Sequence, residues 1–274
     1  MGFAEARTIY IEGASALYRN TGLLNKAVNT LPRHAIFGCA LHIHARHAFD
    51  DDAPALTLTR LQKMTAENGG LSPGRVAAQT LLLRKLGFLE TRIAADRRQR
   101  ILQVTDRMVA EDHRWLTVQL RSLEAFGLFS PRDDERSPGF VLAFRAASPM
   151  MPVETAAFVG RHPAIAFFIM RDGGYSMLLE LLRAWQRGGS TRVGFDVAET
   201  AAAFCVSKSQ MWSLLQAAAR GLLTAAAPAW RTVCLSDRLL ADFDRWFSDK
   251  AAELAELAEV AGRARALWAE QSAK

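Results

Sequence analysis

The residues from 71 to 107 constrain the fold of this chain more than any other segment. Ser72 is a favourable N-cap and Pro73 suits the first helical position, and apolar residues with helical spacing follow. Two short β-type runs, 88–93 and 101–104, then enclose a turn that carries three arginines. The segment therefore predicts a helix, a strand, a basic turn, a returning strand and a further helix.

Taken alone, this segment does not identify a function, because many small α+β domains contain a helix and a hairpin, and a basic turn is often simply solvated. A second segment repeats the pattern: residues 84–89 correspond to 218–223, and residues 104–108 correspond to 235–239. The offsets are 134 and 131 residues, so the second turn is the shorter one. Chance similarity of two helix-rich segments is the alternative. Agreement in order, spacing and local sequence favours two copies of one unit.

The chain is long enough for two modest hydrophobic cores, since half of its 274 residues are hydrophobic. We predict an N-terminal domain over 1–128 and a C-terminal domain over 152–274, joined by a linker at 129–151 that is rich in Pro, Gly and charge. Within the linker, residues 140–144 are expected to form a strand. Residues 8–11 are expected to form a short strand or an ordered arm.

Residues 206–215, VSKSQMWSLL, followed by the triplet GLL at 221–223, resemble the helix-turn-helix of MarR-type and related winged-helix bacterial regulators. The first half resembles the same proteins through its basic hairpin and the long helix after it, and the likeness covers about 57–125 and 175–245. It implies a mainly α fold with small β-wings and tandem winged helix-turn-helix domains. MarR-type proteins are usually single-domain homodimers, whereas this chain carries two copies, so it resembles a fused pseudo-dimer.

The resemblance implies a transcriptional regulator that binds double-stranded DNA, and the net charge of +6 is compatible with a polyanionic partner. A helix can enter the major groove while a basic wing reaches phosphates or the minor groove. The predicted DNA contacts are Ser72, Arg75 and Gln79 in the first helix, Arg92, Arg97, Arg98 and Arg100 in the first wing, and Lys208, Ser209, Trp212, Ser213 and Gln216 in the second helix.

The two copies are expected to be specialised, the first gripping the DNA backbone through its wing and the second reading sequence through its helix. The second wing is apolar apart from Arg231, so it is alternatively a packing surface, with only one domain binding DNA. Trp212 is alternatively packed on a neighbouring domain. A winged-helix scaffold or chromosome-associated protein and a plasmid-type replication initiator are the competing functions.

Other chemistry is weakly indicated. His42, His44 and His47 lie near Cys39, His34 and Asp50 to Asp52, but their spacing favours a histidine-rich helix face over a metal site. The three cysteines have apolar surroundings and are expected to be buried thiols, with a redox role for Cys205 as the alternative. No catalytic arrangement and no cofactor are predicted. By resemblance, the apolar segment 153–170 is expected to line a pocket for a small amphipathic effector.

The chain shows no signal peptide and no run of eighteen apolar residues, so a cytoplasmic protein without a membrane partner is expected. The helix from Ser236 onward carries an apolar stripe over several turns, which must be buried. Its repeat equivalent is the helix at 106–126. We predict that these two helices pack together within one chain, with both recognition helices on one face, in a monomer; a homodimer is the alternative.

Overall fold

A computed structural model describes residues 2–50, 52–93, 100–148, 160–226 and 231–272. The fold is mainly α-helical with two small antiparallel sheets, as predicted. The first half contains α1 (Phe3–Tyr18), α2 (Gly22–Val28), α3 (Leu31–Phe49), α4 (Leu58–Gly69), α5 (Pro73–Lys85), β1 (Leu89–Ile93), β2 (Arg100–Val104) and α6 (Asp106–Phe126). No helix within these ranges is both long enough and apolar enough to cross a membrane.

A short 3-10 helix (Asp133–Arg136) and α7 (Pro138–Ala147) connect the two halves. The second half contains α8 (Pro163–Ile169), α9 (Gly174–Gly188), β3 (Arg192–Gly194), α10 (Val197–Phe204), α11 (Lys208–Ala218), β4 (Leu223–Ala226), β5 (Thr232–Leu235) and α12 (Asp237–Ser272). The strand β3 was not anticipated from the sequence, because three residues are too few to show a periodic pattern.

The two sheets have related connectivity. β1 and β2 form a hairpin in which Leu89 lies opposite Val104. The second sheet has the order β3-β5-β4, so a short edge strand precedes two helices and then the hairpin β4–β5. In the first half the N–H of Leu102 donates to the carbonyl of Leu56 at 2.9 Å, so the segment before α4 takes the edge position that β3 occupies in the second half. Both halves therefore run helix, edge segment, two helices, hairpin, long helix.

Side-chain caps fix the starts of the matching helices. Thr105 accepts a hydrogen bond from the N–H of Met108 at 3.3 Å, and Ser236 accepts one from Leu239 at 3.2 Å. These bonds begin α6 and α12 at the residues predicted from the sequence.

The strand predicted at 140–144 is wrong, since these residues lie in α7. Pro138 occupies the first turn of α7, and Phe140, Val141 and Phe144 are buried with a spacing that suits one helical face. Residues 8–11 likewise belong to α1 and form neither a strand nor an arm. Aromatic and β-branched residues favoured strands locally, but burial on one helical face prevailed.

The buried side chains form one continuous cluster that includes residues of both halves, instead of two separate cores. α12 packs against α6, α7 and α8. The rings of Phe126 on α6 and Phe247 on α12 stack with centroids 5.9 Å apart, and Phe3 of α1 packs edge-on against both. The prediction that the two long helices pack together within one chain is confirmed.

Candidate nucleic-acid interface

The helix α11 separates an apolar face from a polar one. Ser207 caps it by accepting a hydrogen bond from the N–H of Gln210 at 3.1 Å. Its buried side chains are Met211, Leu214, Leu215 and Ala218. Its exposed side chains include Lys208, Ser209, Ser213 and Gln216. The exposed positions are those at which the sequence predicted DNA contacts, so these four side chains are free of the core and accessible to a ligand.

Trp212 behaves differently from its neighbours on α11. Its side chain is half-buried and packs against the hydrophobic core. Packing against the protein was the alternative to DNA contact for this residue. The indole of Trp212 therefore helps to pack α11 against the rest of the fold.

The helix α5 offers fewer exposed polar groups. Ser72 caps it by accepting a hydrogen bond from the N–H of Arg75 at 3.4 Å, and both residues are exposed. The basic residues Arg84 and Lys85 in its last turn are exposed as well. The exposed surface of α5 therefore has one cation, Arg75, in its first turn and two at its end, with small residues such as Gly74 and Ala78 near its start.

The expectation that Gln79 contacts DNA is wrong. Only 5 % of Gln79 is exposed, and its Nε2 donates to the carbonyl of Ala27 at 2.7 Å. Ala27 belongs to the last turn of α2, where carbonyls have no helical partner. Gln79 therefore satisfies the end of α2 and faces away from solvent.

The two hairpins differ in their charge. Arg92 on β1 and Arg100 on β2 are exposed, as a basic wing requires, while Arg97 and Arg98 lie outside the described residues. Ile93, next to the turn, is 71 % exposed. In the second hairpin Arg231 is exposed, and residues 227–230 lie outside the described ranges.

A buried ion pair joins α6 to α7. Arg145 donates from Nε and Nη2 to the two carboxylate oxygens of Asp112 at 2.7 and 2.5 Å, and both side chains are almost fully buried. The guanidinium also lies 4.9 Å from the ring centroid of Trp115. Two parallel charge-assisted bonds offset much of the desolvation cost of both ions.

The amino group of Lys250, on α12, lies among three aromatic rings. Its Nζ is 4.3, 5.0 and 5.9 Å from the ring centroids of Tyr10, Trp246 and Trp115 and donates to the Tyr10 hydroxyl at 3.0 Å. That hydroxyl also bonds the hydroxyl of Tyr175 on α9. Burial lowers the pKa of Lys250 to about 7, although the negative charge of Glu253 acts in the opposite direction.

A small pocket opens beside the ion pair. Its lining is aromatic and aliphatic with a few polar groups: Leu17, Tyr18, Leu24, Val28, His34, Phe37, Glu111, Asp112 and Trp115. Burial, and secondarily the positive charge of Arg145, lowers the pKa of His34 to about 4, so its imidazole is neutral at physiological pH. The described part of 153–170 contributes none of the lining, so the expected link between that segment and a pocket does not hold for this one.

The cysteines and histidines also have definite surroundings. Cys39 is buried, and desolvation raises the pKa of its thiol to about 12. Cys205 is exposed and Cys234 is half-buried, so the expectation of buried thiols is confirmed only for Cys39. Nδ1 of His42 and of His47 bonds a backbone carbonyl, and the residues that the structure describes contain no group of three or more acidic, histidine or cysteine side chains placed to hold a metal.

Searches with protein-family models and against curated proteins find nothing that matches this chain.

Proposed function

We propose that the two halves are winged-helix units and that the chain is a DNA-binding transcriptional regulator. The observation that carries this proposal is the exposed polar face of α11. The opposite, apolar face packs this helix against the core, and Ser207 caps its N-terminus. Lysine, serine and glutamine side chains are suited to phosphates and to base edges in the major groove. In the proposed mode, the N-terminal half of α11 enters a major groove.

The first unit supplies the electrostatic part of the proposed interface. Arg92 and Arg100 extend from the first hairpin, and Arg84 and Lys85 lie at the end of α5. Exposed guanidinium and ammonium groups on adjoining elements release condensed counterions when they meet phosphates. The affinity of the complex is therefore expected to fall steeply with salt.

A small effector is a second part of the proposal. The pocket bounded by Tyr18, His34 and Trp115 places a neutral imidazole and a phenol among apolar walls. Glu111 and Asp112 add carboxylates to the lining, and the space is that of about one water molecule, so a compact aromatic effector would bind here only if the pocket opens. Its entry would separate α1 and α3 from α6, and it would reach the proposed DNA-reading surface through those helices.

The proposal is tested by selecting bound sequences from random DNA duplexes with the full chain. The variant that combines Arg97→Ala, Arg98→Ala and Arg100→Ala should then bind the selected duplex more weakly, with the salt slope reduced by about 0.9 for each lost phosphate contact. The charge-matched control combines Arg121→Ala, Arg136→Ala and Arg263→Ala, which change exposed arginines on other elements.

Three outcomes separate the competing functions. Enrichment of one sequence family supports a regulator, and enrichment of iterated sites indicates a replication initiator. No binding of DNA at low salt would reject both and leave a winged-helix scaffold.

Equal losses of affinity in the wing variant and its control would show that general charge, not the first hairpin, holds the DNA.

A further inference from the structure

The segment 19–29, called the brace below, lies between the two units. It contains the corner after α1 and the whole of α2. Its first residues contact the turn between α10 and α11 in the second unit, and its last residues contact α5 in the first. One short helix thus contacts α5 and the turn before α11, the elements next to the two proposed DNA-contacting surfaces.

The attachment to the second unit is made of backbone and buried amide groups. The N–H of Asn20 donates to the carbonyl of Ala203 at 2.6 Å. The side chain of Asn25, only 2 % exposed, donates from Nδ2 to the carbonyls of Phe204 and Tyr18 at 2.9 and 2.8 Å. A single amide therefore ties the end of α1 to the turn that precedes α11.

The packing at this attachment is close. A β-carbon built onto Gly22 would lie 2.8 Å from Sγ of Cys205, so only a glycine lets the start of α2 approach that turn without a shift of the thiol. Cys205 itself has a φ of +57°, a conformation that few residues other than glycine adopt. The turn before α11 therefore combines a left-handed residue with close packing against the start of α2.

The attachment to the first unit is the bond from Gln79 on α5 to the carbonyl of Ala27. This donor and acceptor are enclosed, so neither can exchange its partner for water without a local opening. A more exposed contact joins the brace to the second unit, where Nδ2 of Asn29 donates to the side-chain carboxylate of Asp172. The backbone carbonyl of Asp172 in turn accepts from Nε2 of Gln210 on α11 at 3.2 Å. Because exposed polar contacts contribute little, the buried bonds of Asn25 and Gln79 are the stronger of these polar links, and they add to the apolar packing that joins both halves.

We propose that the brace fixes the separation and relative rotation of α5 and α11, and that Asn25 and Gln79 are positioning residues that determine which spacing of two DNA half-sites the chain accepts. The DNA part of this inference rests on the proposed function. The geometric part does not, because it concerns the relative placement of two helices in the free protein.

The geometric part is tested by the distance between spin labels placed at the exposed positions Ala78 on α5 and Ser213 on α11. The labels are attached through an introduced ketone side chain, so that the native cysteines stay unchanged. The distance distribution should be narrow in the parent protein and clearly broader or shifted in Asn25→Ala and Gln79→Met. Lys26→Ala, an exposed change on the same helix, is the control and should leave the distribution unchanged.

Gln79→Met keeps the volume of the side chain and removes only its polar end, so this variant decides the question if Asn25→Ala does not fold. An unchanged distance distribution in Gln79→Met would overturn the brace whether or not the chain binds DNA. Thermal unfolding of each labelled variant verifies that the comparison is made between folded proteins.

The DNA part is tested with duplexes in which two selected half-sites are moved apart. Two extra base pairs rotate one site by about 70° around the helix axis. The parent protein should bind this duplex about tenfold more weakly, a loss comparable with one mismatched base pair, and Gln79→Met should lose less than about threefold. Equal tolerance in both proteins would reject the role of the brace in spacing, whereas failure of the parent to bind any duplex would reject the proposed function alone.

Discussion

The two halves share an element order but present different chemistry to solvent. In the first half, exposed cations lie on the hairpin and on α5; in the second, α11 presents one cation, Lys208, and otherwise uncharged polar side chains. The buried sides of α5 and α11 differ too, since Gln79 bonds α2 whereas α11 buries only apolar residues. The difference shows that a repeated topology does not require repeated contacts, and it favours a division between gripping and reading DNA.

The long helices show a parallel contrast inside the core. Each begins with a capped turn and carries a buried aspartate two turns later, Asp112 on α6 and Asp242 on α12. Asp112 pairs with the buried guanidinium of Arg145, whereas Asp242 accepts from the backbone N–H groups of Ala164 and Ile165 and from the exposed guanidinium of Arg245. Asp112 therefore binds α7, which connects the halves, through a buried charged side chain, whereas Asp242 binds the start of α8 within the second half.

The first prediction concerns the larger of these two effects. Asp112→Ala should lower the free energy of unfolding by about 3–5 kcal/mol, because it leaves Arg145 buried without its charge partner. Chemical denaturation measures the change. Lys63→Ala, which removes an exposed pair with Glu67, is the control and should cost less than about 0.5 kcal/mol. If a double change of Asp112 and Arg145 to methionine is as damaging as Asp112→Ala, the stranded charge is not the cause.

The second prediction concerns Asp242, which caps the start of α8. Asp242→Ala should cost about 1–3 kcal/mol, because two buried backbone N–H groups lose their acceptor. Asp242→Asn retains one side-chain oxygen and should cost less, as judged by the same denaturation experiment. If Asp242→Ala lowers the free energy of unfolding as much as Asp112→Ala does, a buried cation without its partner costs no more than two buried N–H groups without an acceptor.

The third prediction tests whether α12 belongs to the core of the first half. The pKa of Lys250 is about 7 in the folded chain, below its ordinary value of 10.5, so between these values the unfolded chain binds more protons. Stability therefore rises with pH in this window, by about 1 kcal/mol per pH unit for one proton. The unfolding free energy of the parent should rise relative to Lys250→Met between pH 7 and 9. Parallel pH curves for the two proteins would contradict the burial of this amino group.

The sequence was sufficient where structure is set locally. Ser72 and Ser207 mark the starts of α5 and α11, and the apolar spacing of α11 identifies its exposed side. It was insufficient where a distant partner decides. Gln79 is a polar residue in the middle of α5, but its acceptor lies 52 residues earlier in the chain. No periodic pattern reveals such a pairing.

The linker shows the same limit at the level of secondary structure. The run from Phe140 to Phe144 has strand-forming residues, yet its place between α3, α6 and α12 selects a helix with one buried face. The single core has the same origin, since Arg145 and Lys250 meet partners from other elements. Whether these polar groups are buried depends on how the helices pack together, and the amino-acid composition does not predict it.

The last prediction makes the comparison of α5 and α11 quantitative at one residue each. Lys208 and Arg75 are both exposed cations in the first turn of their helix. If each meets one phosphate, Lys208→Ala and Arg75→Ala should each lower the salt slope of DNA binding by about 0.9, with little change in sequence preference.

Gln216→Ala, on the exposed face of α11, should instead alter preference at one base pair by about 1–3 kcal/mol and leave the salt slope unchanged. Fluorescence anisotropy over a salt series, repeated on duplexes with single base changes, separates these two effects. Ala78→Ser, at an exposed site on α5, is the matched change in the other unit and should alter neither quantity. A change of base preference in Ala78→Ser, with none in Gln216→Ala, would reverse the roles assigned to α5 and α11.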